Sequence, residues 1–254
     1  MIAAKLVVSS TAPSRSRLGL AGLLNLKISF PMKRVIVAID GPAGAGKSTI
    51  ARRVAAKTGF VYIDTGAMYR AVALWALRAD VDLTDMHKLE ELAKAANMIF
   101  LDGGSGMELN GEDVSLAIRT PEVAAAASKV AAVTAVRRAL VQKQREIADT
   151  SSVVMEGRDI GTVVFPDANV KIYLDADHSV RAERRAQDLI GADTSQVAKD
   201  IAERDHRDAS RPDSPMTQAP DAVYLDSSGL NLDEVEEAIL KLIRERTSNG
   251  KEIH

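Results

Sequence analysis

Val35-Ile36-Val37-Ala38-Ile39-Asp40-Gly41-Pro42-Ala43-Gly44-Ala45-Gly46-Lys47-Ser48-Thr49 is the stretch whose reading decides the fold. Residues 35–39 form an uninterrupted apolar, mostly β-branched run, as expected of a strand covered on both faces. Residues 41–48 match G-x-x-x-x-G-K-[ST] in full. Ile50 and Val54 then stand one helical turn apart in residues 47–57, and Gly59 is placed to end that helix. A strand, a glycine-rich loop and a helix in this order turn backbone N–H groups toward an anion, with the positive end of the helix behind them. Lys47 is then expected to reach the β- and γ-phosphates, and the Ser48 hydroxyl to ligate Mg2+. A glycine-rich turn that merely joins strand to helix is the bland alternative. The loop implies nucleoside triphosphate binding and names no acceptor.

Outward from this stretch, strand-like and helix-like segments alternate, the pattern of an α/β fold with a parallel sheet flanked by helices. Residues 60–63 read as the second strand and 67–79 as the second helix, with Thr65 as its N-cap; residues 87–96 form a short amphipathic helix. The alternation then breaks. Residues 98–101, a Gly103-Gly104-Ser105-Gly106 turn, residues 107–109, the hairpin pair Asn110-Gly111 and residues 112–114 predict a three-stranded antiparallel meander. Two helices follow, the first announced by Thr120-Pro121-Glu122 and the second capped by Thr134. Strands at 153–155 and 170–174, helices at 180–190 and 195–207, a last strand at 222–225 and a closing helix at 232–246 complete the chain. Residues 210–220 carry three prolines and link the helix at 195–207 to the last strand.

Composition narrows the function. The 254 residues are 46% apolar and 27% charged, which suits a globular domain, and no apolar run is long enough to predict a membrane-spanning helix. A net charge of −2 gives no case for a nucleic-acid polymer held by bulk charge, so an anionic ligand must meet a local cluster. The absence of cysteine excludes disulfides, thiolate metal sites and cysteine nucleophiles, and suits a reducing, cytoplasmic setting. Residues 1–31 hold Lys5, Arg15, Arg17 and Lys27 but no acid, and are expected to lie outside the domain. An organellar transit peptide, a secretory signal and translated upstream sequence with the start at Met32 compete as explanations; the last is favoured.

Three segments bear on the acceptor. Asp64-Thr65-Gly66-Ala67-Met68-Tyr69-Arg70 follows the second strand, at the edge where open α/β sheets bind ligands. Glu156-Gly157-Arg158-Asp159 leaves a later strand at the same edge. Arg204, Asp208 and Arg211 fall on one stripe if their helix continues that far, and Arg181, Arg184 and Arg185 form a second cluster upstream. The two arginine-lined helices, joined at Gly191-Ala192-Asp193, have the form of a lid at about 187–212 that closes on a transferring phosphoryl group and excludes water. Helix capping, solvated loop charges and a surface ion-pair ladder are the structural alternatives for these segments.

From about Arg34 onward the chain resembles the bacterial-type cytidylate kinases. The resemblance rests on residues 41–48, 64–70, the 125–132 stretch around Ser128, the string Gly157-Arg158-Asp159-Ile160-Gly161-Thr162-Val163-Val164-Phe165-Pro166-Asp167, and residues 204–211. It implies a P-loop NTPase core (32–64 and 150–254, including the lid), an inserted acceptor-binding domain (65–149) enlarged by the small antiparallel sheet, and a helical lid. It implies phosphoryl transfer from ATP, with Mg2+, to CMP or dCMP, by an enzyme expected to be a monomer with only small-molecule partners. ATP would lie on Gly41, Pro42, Ala43, Gly44, Ala45, Gly46, Lys47, Ser48 and Thr49. Thr65, Tyr69 and Arg70 would line the acceptor pocket, Ser128, Arg137 and Asp159 surround cytosine, Arg158 and Arg211 hold phosphates, and Arg204 and Asp208 reach the ribose. Lys47, Arg158, Arg184 and Arg211 are the expected catalytic groups. Glu156 stands where aspartate is usual, which brings a longer arm near the metal, and Thr65 stands where serine is frequent. Cytosine offers an amino donor where uracil has a carbonyl, so a carboxylate at Asp159 would accept from the one and repel the other. A kinase for a different small acceptor (another nucleoside monophosphate, shikimate or dephospho-coenzyme A) and a non-enzymatic nucleotide-binding module are the rival functions.

Overall fold

Burial of residues 37–39, all at 0% exposure, explains why the strand before the loop carries no polar side chain until its last position. The computed structural model describes residues 34–187 and 193–248. The extension expected at 1–31, the end of the helix expected at 180–190 and the Gly191-Ala192 turn lie outside those residues. The central strand β1 (Ile36–Asp40) leads through the glycine-rich loop into α1 (Lys47–Thr58). β2 (Val61–Asp64) and α2 (Thr65–Arg78) follow, then α3 (Met86–Ala95), β3 (Met98–Leu101), β4 (Gly106–Leu109), β5 (Glu112–Asp113), α4 (Pro121–Val130) and α5 (Thr134–Ala148). The remainder comprises β6 (Val153–Glu156), a π turn (Ile160–Val164), β7 (Val170–Asp175), α6 (His178–Gln187), α7 (Thr194–Ala209), β8 (Val223–Asp226) and α8 (Leu232–Ser248).

Five strands form a parallel sheet in the order β2-β6-β1-β7-β8. Period-two alternation divides β1 between two layers. Val37 and Ile39 pack with Ile50, Val54, Val235 and Ile239 on one face, and Ala38 packs with Ile63, Met155, Ile160 and Val164 on the other. A third core, built from α2 to α5 and the β3-β4-β5 antiparallel sheet, includes Met68, Val72, Leu89, Met107 and Leu140. The β4-β5 hairpin turns on Asn110 (φ 53°) and Gly111 (φ 88°), the left-handed pair that two-residue hairpins require.

All five parallel strands end on an acid: Asp40, Asp64, Glu156, Asp175 and Asp226. Parallel pairing sets these carboxylates along one edge, where the basic segments also converge.

Several local expectations are corrected. Asp64, not Thr65, caps α2, accepting from the Ala67 N–H at 3.0 Å; Thr65 is the first helical residue and its hydroxyl donates across to the Glu156 carbonyl at 2.7 Å. Thr134 likewise is the first residue of α5, whose N-cap Val133 makes no side-chain bond. Helix α7 ends at Ala209, so Arg211 leaves the stripe of Arg204 and Asp208. Thr120 caps α4 as expected, with Pro121 at its first position.

Candidate active site

Glycine geometry builds the loop. Gly44 and Gly46 adopt φ of 78° and 87°, and a Cβ on Gly44 would lie 2.6 Å from the Arg181 carbonyl oxygen. Pro42, Ala43 and Ala45 are buried, and Thr49 is exposed on the first turn of α1. Lys47 is buried, and its ammonium donates to the Pro42 carbonyl at 2.6 Å. Burial, followed by repulsion from Arg158, pushes the Lys47 pKa down to about 7.

Ser48, Tyr62 and Lys47 meet at Glu156. Its carboxylate accepts from the Tyr62 hydroxyl at 2.5 Å and from the Ser48 hydroxyl, while burial and the neighbouring Asp64 raise its pKa. A hydroxyl and a carboxylate are hard oxygen donors of the kind Mg2+ prefers.

Helix α2 carries Tyr69 and Arg70, α4 carries Ser128 and α5 carries Arg137. The Arg70 guanidinium bonds Asp64 at 2.8 Å and, against the opposing effect of burial, holds that carboxyl below its ordinary range. Arg137 and Asp159 form a buried ion pair, and the Arg137 guanidinium lies 5.5 Å over the Tyr69 ring. Burial raises the Tyr69 hydroxyl to about 12. Ser128 Oγ, Arg137 Nε and Arg70 Nε are buried with no hydrogen-bond partner among the described residues. A buried polar atom left without a partner costs about 1–3 kcal/mol, so each of these atoms is suited to take up a polar ligand.

Asp208 organises the charges near the end of α7. Its buried carboxylate accepts from Arg158 at 3.0 Å and pairs with Arg211, and these arginines together with Arg204 hold its pKa down although burial works against them. Burial and then Arg158 bring Arg204 down to about 10. Thus Lys47, Arg158 and Arg204 each sit in the others' positive field. Convergent cations of this kind are arranged to meet an anion, most economically a phosphate.

Arg184 sits apart from this group, donating to the Ser227 hydroxyl at 2.9 Å and carbonyl at 2.8 Å beyond β8. Two groups absent from the expected site border it and hold its segments in place. Asp205 accepts from the Ala43 N–H at 2.9 Å and pairs with Arg181, which itself donates to the Ala43 carbonyl at 3.0 Å, so α6 and α7 are latched to the loop. Asp40 accepts from the Ile160 and Gly161 N–H groups. Adjacency to the loop and to Arg204 was the only sequence signal for either.

With this geometry in place, comparison with known proteins is specific. The family model described as cytidylate kinase matches residues 37–245. A cytidylate kinase from Solibacter usitatus is 59% identical over 226 residues, covering 87% of this chain and 97% of the relative. One from Desulforamulus reducens is 51% identical over 209 residues, covering 80% and 94%, and one from Ligilactobacillus salivarius is 46% identical, covering 85% and 99%.

Proposed function

The chain belongs to the cytidylate kinase family, and from that premise we propose how its own residues carry the γ-phosphoryl group of ATP to the 5′-phosphate of CMP or dCMP. The observation that supports this best is the buried Arg137–Asp159 pair, to which α4 adds an unpartnered Ser128 hydroxyl, polar atoms suited to a cytosine edge. Asp159 accepts from the exocyclic amine, which uracil lacks; Ser128 and Arg137 hold the remaining edge, with Thr65 and Tyr69 lining the pocket. Arg70, Arg158 and Arg211 hold the acceptor phosphate, and Arg204 and Asp208 reach its ribose. On the donor side, the backbone of residues 41–49 and the Lys47 ammonium hold the triphosphate.

An oxygen of the acceptor phosphate attacks the γ-phosphorus, forming the new P–O bond as the bond to the bridging β–γ oxygen breaks, and ADP leaves. The acceptor's second pKa is near about 6, so it arrives largely dianionic and no general base is required. Rate acceleration comes from positioning and from charge neutralisation by Lys47, Arg158 and Arg211. The Asp205–Ala43–Arg181 latch brings the lid over the phosphates and keeps water from competing. Ser48, with the Glu156 carboxylate behind it, would hold Mg2+ together with the nucleotide phosphates; the ion supplies further charge neutralisation when bound. Arg184, whose guanidinium faces Ser227, supports the lid rather than the transferring group. Residues 65–149 serve as the acceptor-binding domain of a monomeric cytoplasmic enzyme.

ADP release with ATP, Mg2+ and CMP, dCMP, UMP or AMP tests this reading. CMP and dCMP should outperform UMP and AMP. Equal rates on all four would remove the base-reading argument, and an enzyme that forms no CDP from CMP would remove the reaction itself.

A further inference from the structure

Beyond β6 the chain enters the π turn, Ile160–Val164, with Asp159 at its N-cap position (φ −147°, ψ 25°). The first N–H groups of any helical turn lack a partner within it, and an aspartate at the N-cap is well suited to supply one. Asp159 makes no such bond. Its carboxylate pairs with Arg137 instead. Asp40 takes over the capping from 120 residues away: one carboxylate oxygen accepts from the Ile160 N–H at 2.8 Å, the other from the Gly161 N–H at 2.7 Å.

Asp40 is only 5% exposed and makes no ion pair among the described residues. Burial pushes its pKa up to about 6, against the pull of the two N–H bonds. A buried carboxylate is costly, and here its hydrogen bonds serve one turn. That turn begins immediately after Arg158 and Asp159, and the residue after Asp40 is the first glycine of the donor loop.

We propose that Asp40 is a positioning residue for base selection: by capping the π turn in place of Asp159, it frees the Asp159 carboxylate to face Arg137 and the acceptor base. The proposal rests on the cytidylate-kinase reading and adds to it a group that touches neither nucleotide. Without Asp40, the Asp159 carboxylate is drawn back to the bare N–H groups of its own turn, and reading of the base suffers before ATP binding does.

The test uses Asp40→Asn and Asp40→Ala in the full chain, with kcat/KM for CMP and UMP at saturating ATP and KM for ATP measured separately. Two N–H bonds at about 1 kcal/mol each predict a fall of roughly tenfold or more in the CMP-to-UMP ratio of Asp40→Ala, with a smaller fall for Asp40→Asn, which keeps one acceptor. KM for CMP should rise while KM for ATP changes by less than about threefold. Added to Asp159→Ala, Asp40→Asn should lower the ratio no further, because one acts through the other. Equal losses on CMP and UMP, or additive losses in the double variant, would overturn the proposal. If neither variant folds, amide hydrogen exchange in the wild type decides: slow exchange at Ile160 and Gly161, as in β1, supports the cap, and fast exchange overturns it. A wild type that makes CDP while Asp40→Asn keeps the full CMP preference sinks only this proposal; a wild type that makes none sinks the reading beneath it.

Discussion

Replacing Asp159 by Ala perturbs stability and specificity through the same atoms. Side-chain exposure is 3% for Arg137 and 7% for Asp159, so the substitution strands a guanidinium in the interior with the Ala131 carbonyl at 3.4 Å and the Tyr69 ring as its remaining partners. Breaking a buried pair from one side costs about 3–5 kcal/mol. At about 2–4 °C per kcal/mol for a domain of this size, Tm should fall by roughly 6–20 °C. On the base-reading role proposed for Asp159, the base loses a hydrogen bond to a charged acceptor, worth about 1.5–3 kcal/mol, so the CMP-to-UMP ratio of kcat/KM should fall by roughly 10- to 150-fold. Thermal melts and a coupled ADP-release assay, both below the variant's Tm, read the two effects independently. Asp159→Asn is the informative companion, since its amide keeps an acceptor for Arg137 but can present a donor to the uracil carbonyl, and it should move the preference toward UMP. A folded Asp159→Ala enzyme that still prefers CMP by the wild-type ratio would refute the assignment of base reading. An unchanged Tm would refute the buried pair.

Lys47→Ala removes a preorganised cation from the phosphate site and should lower kcat by on the order of 100- to 1000-fold while the fold persists; activity within tenfold of wild type, about 1.4 kcal/mol, would count against its role. Because Lys47 is held down to about 7 before nucleotide binds, and a phosphate favours its charged form, ATP binding at about pH 8 should take up protons and weaken as pH rises above 7. Titration calorimetry in buffers of different ionisation enthalpy measures this uptake, and heats that do not vary with buffer would refute it. Gly41→Ala faces the Leu174 carbonyl at φ 144° and cannot be accommodated without moving β7; a loss of about 2–4 kcal/mol is expected in denaturant unfolding, and a neutral result would mean that the chain leaves β1 differently.

Short-range rules made much of the architecture legible. The two-residue turn at Asn110-Gly111 places both left-handed residues where backbone sterics demand them, and Thr120-Pro121 starts α4 as its chemistry requires. Where two polar residues competed for one helix end, the sequence was ambiguous. Asp64 and Thr65 are both good caps; Asp64 took the position because the Thr65 hydroxyl found the Glu156 carbonyl on the adjacent strand. Spacing also grouped Arg181 with Arg184, yet one guanidinium bonds the Ala43 carbonyl of the glycine-rich loop and the other faces Ser227, because long side chains on one helix face can reach different tertiary neighbours.

The chain on its own determined that a triphosphate loop follows a doubly buried strand, that a small antiparallel sheet interrupts the alternation, and that arginines crowd the segments leaving the sheet. Each of these depends on residues within a few positions of one another, where periodicity, turn geometry and helix-end chemistry suffice. Which carboxylate answers which cation, and which one caps a turn far away in sequence, was decided by tertiary structure. Parallel strand pairing carries Asp40 to Ile160 and Gly161, and helix docking carries Asp205 to Ala43. Local sequence cannot specify such partners, because the free energy that selects them comes from burial shared by segments that meet only once the sheet has closed.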